Sequence, residues 1–169
     1  LMELEPVRAL KAGKAWLVQQ GFAEEDALGE IRIDGQMKSP LQYACEQGNL
    51  DACRWLHANG ASKDINKANN DGATPMWIAC YSAHLPVCQW LFEVGASADI
   101  TRADNHGNTP MWIACHEGNL PVCQWLFEVG ASADITRANN VGITQMWIAC
   151  RYGHLSVCQW LFEVGASAD

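Results

Sequence analysis

From residue 37 onward, apolar and polar positions follow a pattern that recurs along the chain. Residues 72–106 show it most clearly. Thr74 precedes Pro75, and a hydroxyl N-cap followed by Pro at the first helical position is a strong helix start. A first helix is expected over roughly 75–82, with Met76, Ala79 and Cys80 as its apolar side. After a short turn, Val87, Trp90, Leu91 and Val94 fall at i, i+3, i+4 and i+7, the stripe of a half-buried second helix over roughly 86–94. Gly95 follows at once, where a left-handed helix end is wanted. The polar link that comes next closes on Asp104-Asn105-His106-Gly107, a turn signal.

Shifting the chain by 35 residues superposes this pattern on itself. Residues 72–106 and 107–141 agree at 28 of 35 positions, and 142–169 repeats the same register through Met146-Trp147-Ile148-Ala149-Cys150. A looser copy begins at Met37, with Ser39-Pro40 starting its first helix. Four units are therefore expected, at 37–71, 72–106, 107–141 and 142–169, the last incomplete and uncapped. Residues 1–36 are expected to form an N-terminal capping helix and link. The helix is placed over roughly 6–20, with Val7, Leu10, Lys14, Leu17 and Val18 on one side. The link is acidic, and Ile31-Arg32-Ile33-Asp34-Gly35 is a candidate strand and turn.

A pair of helices this short cannot close a core alone, so each unit must bury its neighbour's apolar face. The fold class that follows is all-α: a solenoid of helix-turn-helix units with hairpin-like links. Trp55, Trp90, Trp125 and Trp160 form one column of that shared core, and Trp16 is expected to extend it. A buried Trp at the usual transfer energy stabilises by about 4–6 kcal/mol before entropy is subtracted.

The units also carry a family resemblance. Thr-Pro-Met-Trp-Ile-Ala-Cys, in series over residues 37–169, resembles the Thr-Pro-Leu-His-x-Ala pattern of ankyrin repeats. Gly118-Asn-Leu-Pro-Val-Cys-Gln-Trp-Leu-Phe-Glu-Val-Gly-Ala131 is similar to that family's second helix and its Gly-Ala ending. Two departures stand out. The unit has 35 residues rather than about 33, and the excess falls most simply at Ser97-Ala98 and its equivalents. The family's His, which braces the adjacent loop by hydrogen bonding, is replaced by Trp77, Trp112 and Trp147, and by Gln42 in the first unit. An indole has one donor and no acceptor, so packing plus at most one bond to a carbonyl is expected.

Charge and chemistry narrow the function further. Eleven Lys+Arg against nineteen Asp+Glu give a net charge of −8. No basic stripe exists to neutralise phosphates, so nucleic acid is not an expected partner. No run of about 20 consecutive apolar residues is present to span a bilayer, so no membrane partner is expected either. The first residues lack the features of a signal peptide.

The eight cysteines stand at Cys45, Cys53, Cys80, Cys88, Cys115, Cys123, Cys150 and Cys158, as paired columns of the repeat. Their spacing is not that of a zinc site, and they read as small buried hydrophobes in a reducing, intracellular compartment, cytoplasmic or nuclear. A bridge within a unit stays open. His84 and His154 are expected to serve the inter-helix turn and to cap helices. Asp99, Asp134 and Asp169, with Arg102 and Arg137, are expected to form a solvated ladder along the links. No nucleophile elbow, phosphate loop or paired-carboxylate arrangement appears, so neither catalytic residues, metal ligands nor a cofactor are assigned.

The positions where near-identical units disagree carry the functional expectation. They are Ala73, Asn108 and Ile143 beside the turn glycine, His106 and Val141 at the link tip, and Gln145 in the place of a proline. At the end of the first helix they are Tyr81, Ser82, His116, Glu117, Arg151 and Tyr152. Glu93, Glu128 and Glu163, equally expected at the surface, do not vary. In an ankyrin-like fold the variable set would line one concave face of hairpin tips and first helices, the face through which such modules usually grip protein partners. Non-catalytic binding of a protein or peptide there is the expectation. The alternatives are a structural or engineered array that self-associates end to end through the uncapped C-terminal face, and a Cys-based metal or redox protein.

Overall fold

Four helix starts share one chemistry. The side-chain oxygens of Ser39, Thr74, Thr109 and Thr144 each accept a hydrogen bond from the backbone N–H three residues on, at 3.1–3.4 Å. In the first unit the Gln42 side chain accepts in return from the Ser39 N–H, completing a reciprocal cap. These caps begin the first helix of each unit in a computed structural model that describes residues 5–22, 31–33 and 36–166.

The helices are α1 (Glu5–Gln19), α2 (Pro40–Glu46), α3 (Leu50–Ala58), α4 (Pro75–Tyr81), α5 (Leu85–Leu91), α6 (Pro110–His116), α7 (Leu120–Leu126), α8 (Gln145–Tyr152) and α9 (Leu155–Glu163). The candidate strand is present as β1 (Ile31–Ile33), and it has an antiparallel partner in β2 (Gln36–Lys38). The expected turn at Asp34-Gly35, the acidic stretch 23–30 and Asp169 lie outside the described residues, as does the side chain of Val7. Apart from this hairpin the architecture is the all-α repeat solenoid that the pattern implied. The second helices stop earlier than expected, at Leu91 and Leu126. The chain then widens through Gly95 (φ 122°) and Gly130 (φ 121°) and tightens into 3-10 turns over Ser97–Thr101 and Ser132–Thr136. Ser97-Ala98 thus opens a regular turn.

First helices stack on first helices, α2 on α4 on α6 on α8, while α3 meets α5 and α7 meets α9. The two sides of the stack are spaced by different residues. Ala44, Ala79 and Ala114, with Cys45, Cys80 and Cys115, are fully buried among the first helices. On the other side, rings stand edge to face between units: His57 on Trp90, Phe92 on Trp125 and Phe127 on Trp160, at 5.7–6.0 Å between centroids. Small residues thus separate the helices on one side of the stack and rings on the other.

Trp16 does not extend this ladder. Its ring stacks on Tyr43 of α2 at 5.7 Å instead. The cause lies at Gly13, where any side chain would enter the Asp51–Ala52 backbone, so α1 lies directly against α3. That register buries Leu17 and leaves Val18, expected on the apolar side, 53% exposed.

The turn histidines cap helices of the preceding unit and not their own. Neither His84 nor His154 caps its own helix with its side chain. Each donates from Nε2 to the last carbonyl of the preceding unit's first helix, His84 to Glu46 at 3.0 Å and His154 to His116 at 2.8 Å. To do so the rings lie across Gly48 and Gly118, where a methyl group would collide with them. In the intervening junction the smaller Asn119 reaches the Cys80 and Tyr81 carbonyls at 3.3 and 3.4 Å. The residue facing it is Ala83, which tolerates a left-handed φ of 62°.

Asp99 and Asp134 do not form a solvated ladder. Both are buried, with one carboxylate oxygen lacking a hydrogen-bond partner. Burial raises their pKa values above the ordinary 3.8, partly offset by Arg102 and Arg137. The arginines stay at the surface and donate back to the preceding link, Arg102 to Asn66 O at 3.0 Å and Arg137 to Thr101 O at 3.3 Å.

Two outcomes are expected. Gly118→Ala should destabilise the chain by roughly 1–3 kcal/mol in urea unfolding, and adding His154→Asn should recover part of that loss, with a non-additive coupling of at least about 0.5 kcal/mol. For the aspartates, a raised folded-state pKa means that the folded chain binds more protons than the unfolded one. Stability should therefore fall as pH rises from 3.8 through the raised value and stay level above it. A chain carrying Asp99→Asn and Asp134→Asn should gain on the parent across that window, measured as urea midpoints at successive pH values.

Candidate functional site

Each link is closed by one side chain. Asn69, Asp104 and Asn139 each accept two backbone N–H groups at 2.8–3.2 Å, from residues 71 and 73, 106 and 108, and 141 and 143. The resulting tips are tied into a row. Asn105 N–H donates to Asp71 O at 2.9 Å and Asn140 N–H to His106 O at 3.0 Å. Their side-chain amides repeat the step, Asn105 to Asn70 O at 2.9 Å and Asn140 to Asn105 O at 3.1 Å.

The tryptophans that replace a loop-bracing His make the single bond their chemistry allows. Trp77 Nε1 donates to Asn108 O and Trp112 Nε1 to Ile143 O, both at 3.0 Å. Each indole thus braces the next unit's tip from the first helix of its own unit. Gln42, in the first unit, donates instead to Lys67 O at 2.9 Å.

Four residues beyond each of these tryptophans stands a variable position, and on a helix that spacing superposes the two side chains. Tyr81 stacks on Trp77 at 5.8 Å, His116 stacks on Trp112 at 5.5 Å, and the Arg151 guanidinium lies 5.2 Å from the Trp147 ring centre. His116 is held further by the Tyr152 ring at 4.5 Å and by Glu117 Oε1 at 2.6 Å from its Nδ1. A constant aromatic platform therefore carries a changing residue in each unit.

Of the residues expected to contact a partner, Tyr81, His106, Val141, Arg151 and Tyr152 are exposed; Ser82, Asn108, His116, Glu117 and Ile143 are half-buried. Two are not surface at all. Ala73 is tucked beneath its own tip, and Gln145 is fully buried with both polar atoms of its amide unpartnered. Gln145 occupies the inward-facing helix start that Pro75 and Pro110 fill elsewhere, so its variation reflects packing. The row of Asn70, Asn105 and Asn140 was missed from sequence, although an asparagine at that place in each of the first three units was its signal.

The thiols have come together without bonding. Sγ–Sγ separations within the units are 3.8, 3.7, 3.6 and 3.3 Å, and all eight cysteines are free. Burial and the facing thiol hold Cys45 and Cys80 well above the ordinary 9.0. For Cys115 the facing Cys123 acts first and burial second, and burial with the Cys150 thiol pushes Cys158 to about 11. Such protonated thiols are poor nucleophiles. Among the described residues no group of three or more His, Cys, Asp or Glu is arranged to hold a metal ion, and no helix is long and apolar enough to cross a membrane.

A family model described as ankyrin repeats in three copies matches residues 8–104 and 94–169. The chain belongs to the ankyrin repeat family. Among curated proteins, none matches it. Ankyrin repeats generally mediate protein–protein interaction and typically act without catalysis, and this ankyrin chain braces its second and third tips with an indole N–H.

Gln145→Pro should stabilise the chain by about 1–2 kcal/mol, because it removes an unpaired buried amide and presets the backbone at a helix start. A urea midpoint unchanged or lowered would show that the amide has found partners.

Proposed function

We propose that this ankyrin chain is a non-catalytic binding module that holds a protein or peptide on the face built from its hairpin tips and first helices. The observation that carries the reading is the row of platforms. The indole beneath is constant, the residue on top changes from Tyr81 to His116 to Arg151, and the tips beside them change from Asp71 to His106 to Val141. A face that only stacked against itself would need no such gradient. Exposed Tyr81, Val141 and Tyr152 supply apolar anchors, and Arg151, Glu117 and His116 set specificity. Its eight unbridged thiols suit a reducing intracellular compartment.

A second reading has its own observation. The last unit exposes Phe162 at 75%, Leu155 at 67% and Trp147 at 48%. Phe162 is the equivalent of Phe92 and Phe127, which cover a neighbour's tryptophan. End-to-end self-association would cover it here.

Affinity capture from lysate separates the two. A protein retained by the parent, and lost when Tyr81, Val141 and Tyr152 are changed to Ser with circular dichroism and urea midpoint preserved, supports the binding module. Equal retention by both chains, together with a mass from light scattering that grows with concentration and reverts on Phe162→Ser, supports self-association and removes the first reading.

A further inference from the structure

On the face of link tips and first helices lies a cavity whose chemistry selects its occupant. It lies between the first two link tips and α4, with a volume of about 300 Å³. One wall is aromatic, the Trp77 indole and Tyr81 phenol lying parallel to within 8°. Three carboxylates line it, Glu46, Asp71 and Asp104, together with the Lys38 ammonium. Lys38 Nζ holds both Glu46 oxygens at 2.8 Å, which neutralises that pair. Asp104 closes its own tip by accepting bonds from the His106 and Asn108 backbone and the Asn108 side chain, none of which carries a positive charge. Asp71 is exposed. The cavity therefore carries two negative charges in excess beside an aromatic plane.

That combination is confined to this junction. Thirty-five residues on, Tyr81, His106 and Asn139 stand where Glu46, Asp71 and Asp104 stand here, and a further 35 on, His116 has become Arg151 and His106 has become Val141. The tryptophan persists while every carboxylate is gone. Unit four shows what the platform accepts, for there the Arg151 guanidinium lies over Trp147. In unit two the equivalent place over the indole is taken by Tyr81, so the stacked Trp77 and Tyr81 rings together form the aromatic wall, with carboxylates alongside.

We infer that this cavity is a binding pocket for an arginine side chain of a basic, extended segment of a partner protein. A guanidinium is planar, stacks on an aromatic face and presents a fork of donors to carboxylates, and it is less strongly hydrated than an ammonium. A volume of about 300 Å³ lies at the small end of ligand sites and suits one side chain. The net charge of −8 draws basic segments toward the face. This inference rests on the proposed binding face and names the chemistry of its partner.

The test uses N-acetyl-arginine-methylamide, titrated to saturation into the full ¹⁵N-labelled chain at low salt, with the Trp77 indole resonance assigned through Trp77→Phe. Saturable movement of the Trp77 indole signal is expected, with Trp147 unmoved. Asp71→Asn and Asp71→Ala, at an exposed position, should each weaken binding roughly threefold to tenfold without changing the urea midpoint. The uncharged citrulline analogue should bind at least about tenfold more weakly, and the lysine analogue should fall between. Citrulline binding as well as arginine, an unmoved Trp77 signal at saturation, or variants that bind like the parent would each overturn the pocket. Loss of the pocket alongside a lysate partner that still depends on Tyr81, Val141 and Tyr152 would leave the general binding face standing. An arginine response without any captured partner would do the reverse.

Discussion

No unit of this chain is finished without the next one. The first helix of a unit spans about two turns, and helices that short are not stable alone in water. What each lacks is supplied by its neighbour: a carbonyl for the Trp77 indole comes from Asn108, a donor for the Glu46 carbonyl from His84, and a donor for the Asp71 carbonyl from the Asn105 amide. The apolar contacts obey the same rule, with Phe92 covering Trp125 and Phe127 covering Trp160. Stability is thus held between units, and the direction of these bonds gives the array a leading and a trailing side.

Much of this was legible in sequence because the repeat prints the same residue at each equivalent contact. Thr-Pro starts, the Gly95 helix end and the tryptophan column all follow from local rules, and the single bond from each loop-bracing indole followed from counting donors. The misreadings have a common physical cause. Asp99 and Asp134 looked like surface because charged residues usually are, yet a tight 3-10 turn draws them inward. Ala73 and Gln145 varied between units and so looked like contact positions, although variation reports packing as readily as it reports binding. His84 reaches into another unit, and no reading of its own turn shows where its Nε2 ends. Trp16 echoes the column by sequence, but Gly13 sets the depth of α1 and turns the ring elsewhere.

The face of first helices and link tips gains its character from the same arrangement. The buried thiols and alanines that let first helices approach closely are invariant, so the framework under the platforms does not change while its outer residues do. Chemistry passes along the face from carboxylates and phenol at Trp77, through imidazole at Trp112, to guanidinium at Trp147. A bound segment would meet these in order, which gives it a polarity as well as a place.

The turn glycines carry a consequence for how such an array changes over time. Units two and three agree at 28 of 35 positions, similar enough for recombination to slip by one unit. Loss of unit two would set Asn119 against Gly48, a combination with room to spare. Loss of unit three would drive the His154 ring onto the Ala83 methyl group. Two nearly identical deletions of coding sequence are therefore unequal in their products, and the order of the units is guarded by a single methyl group.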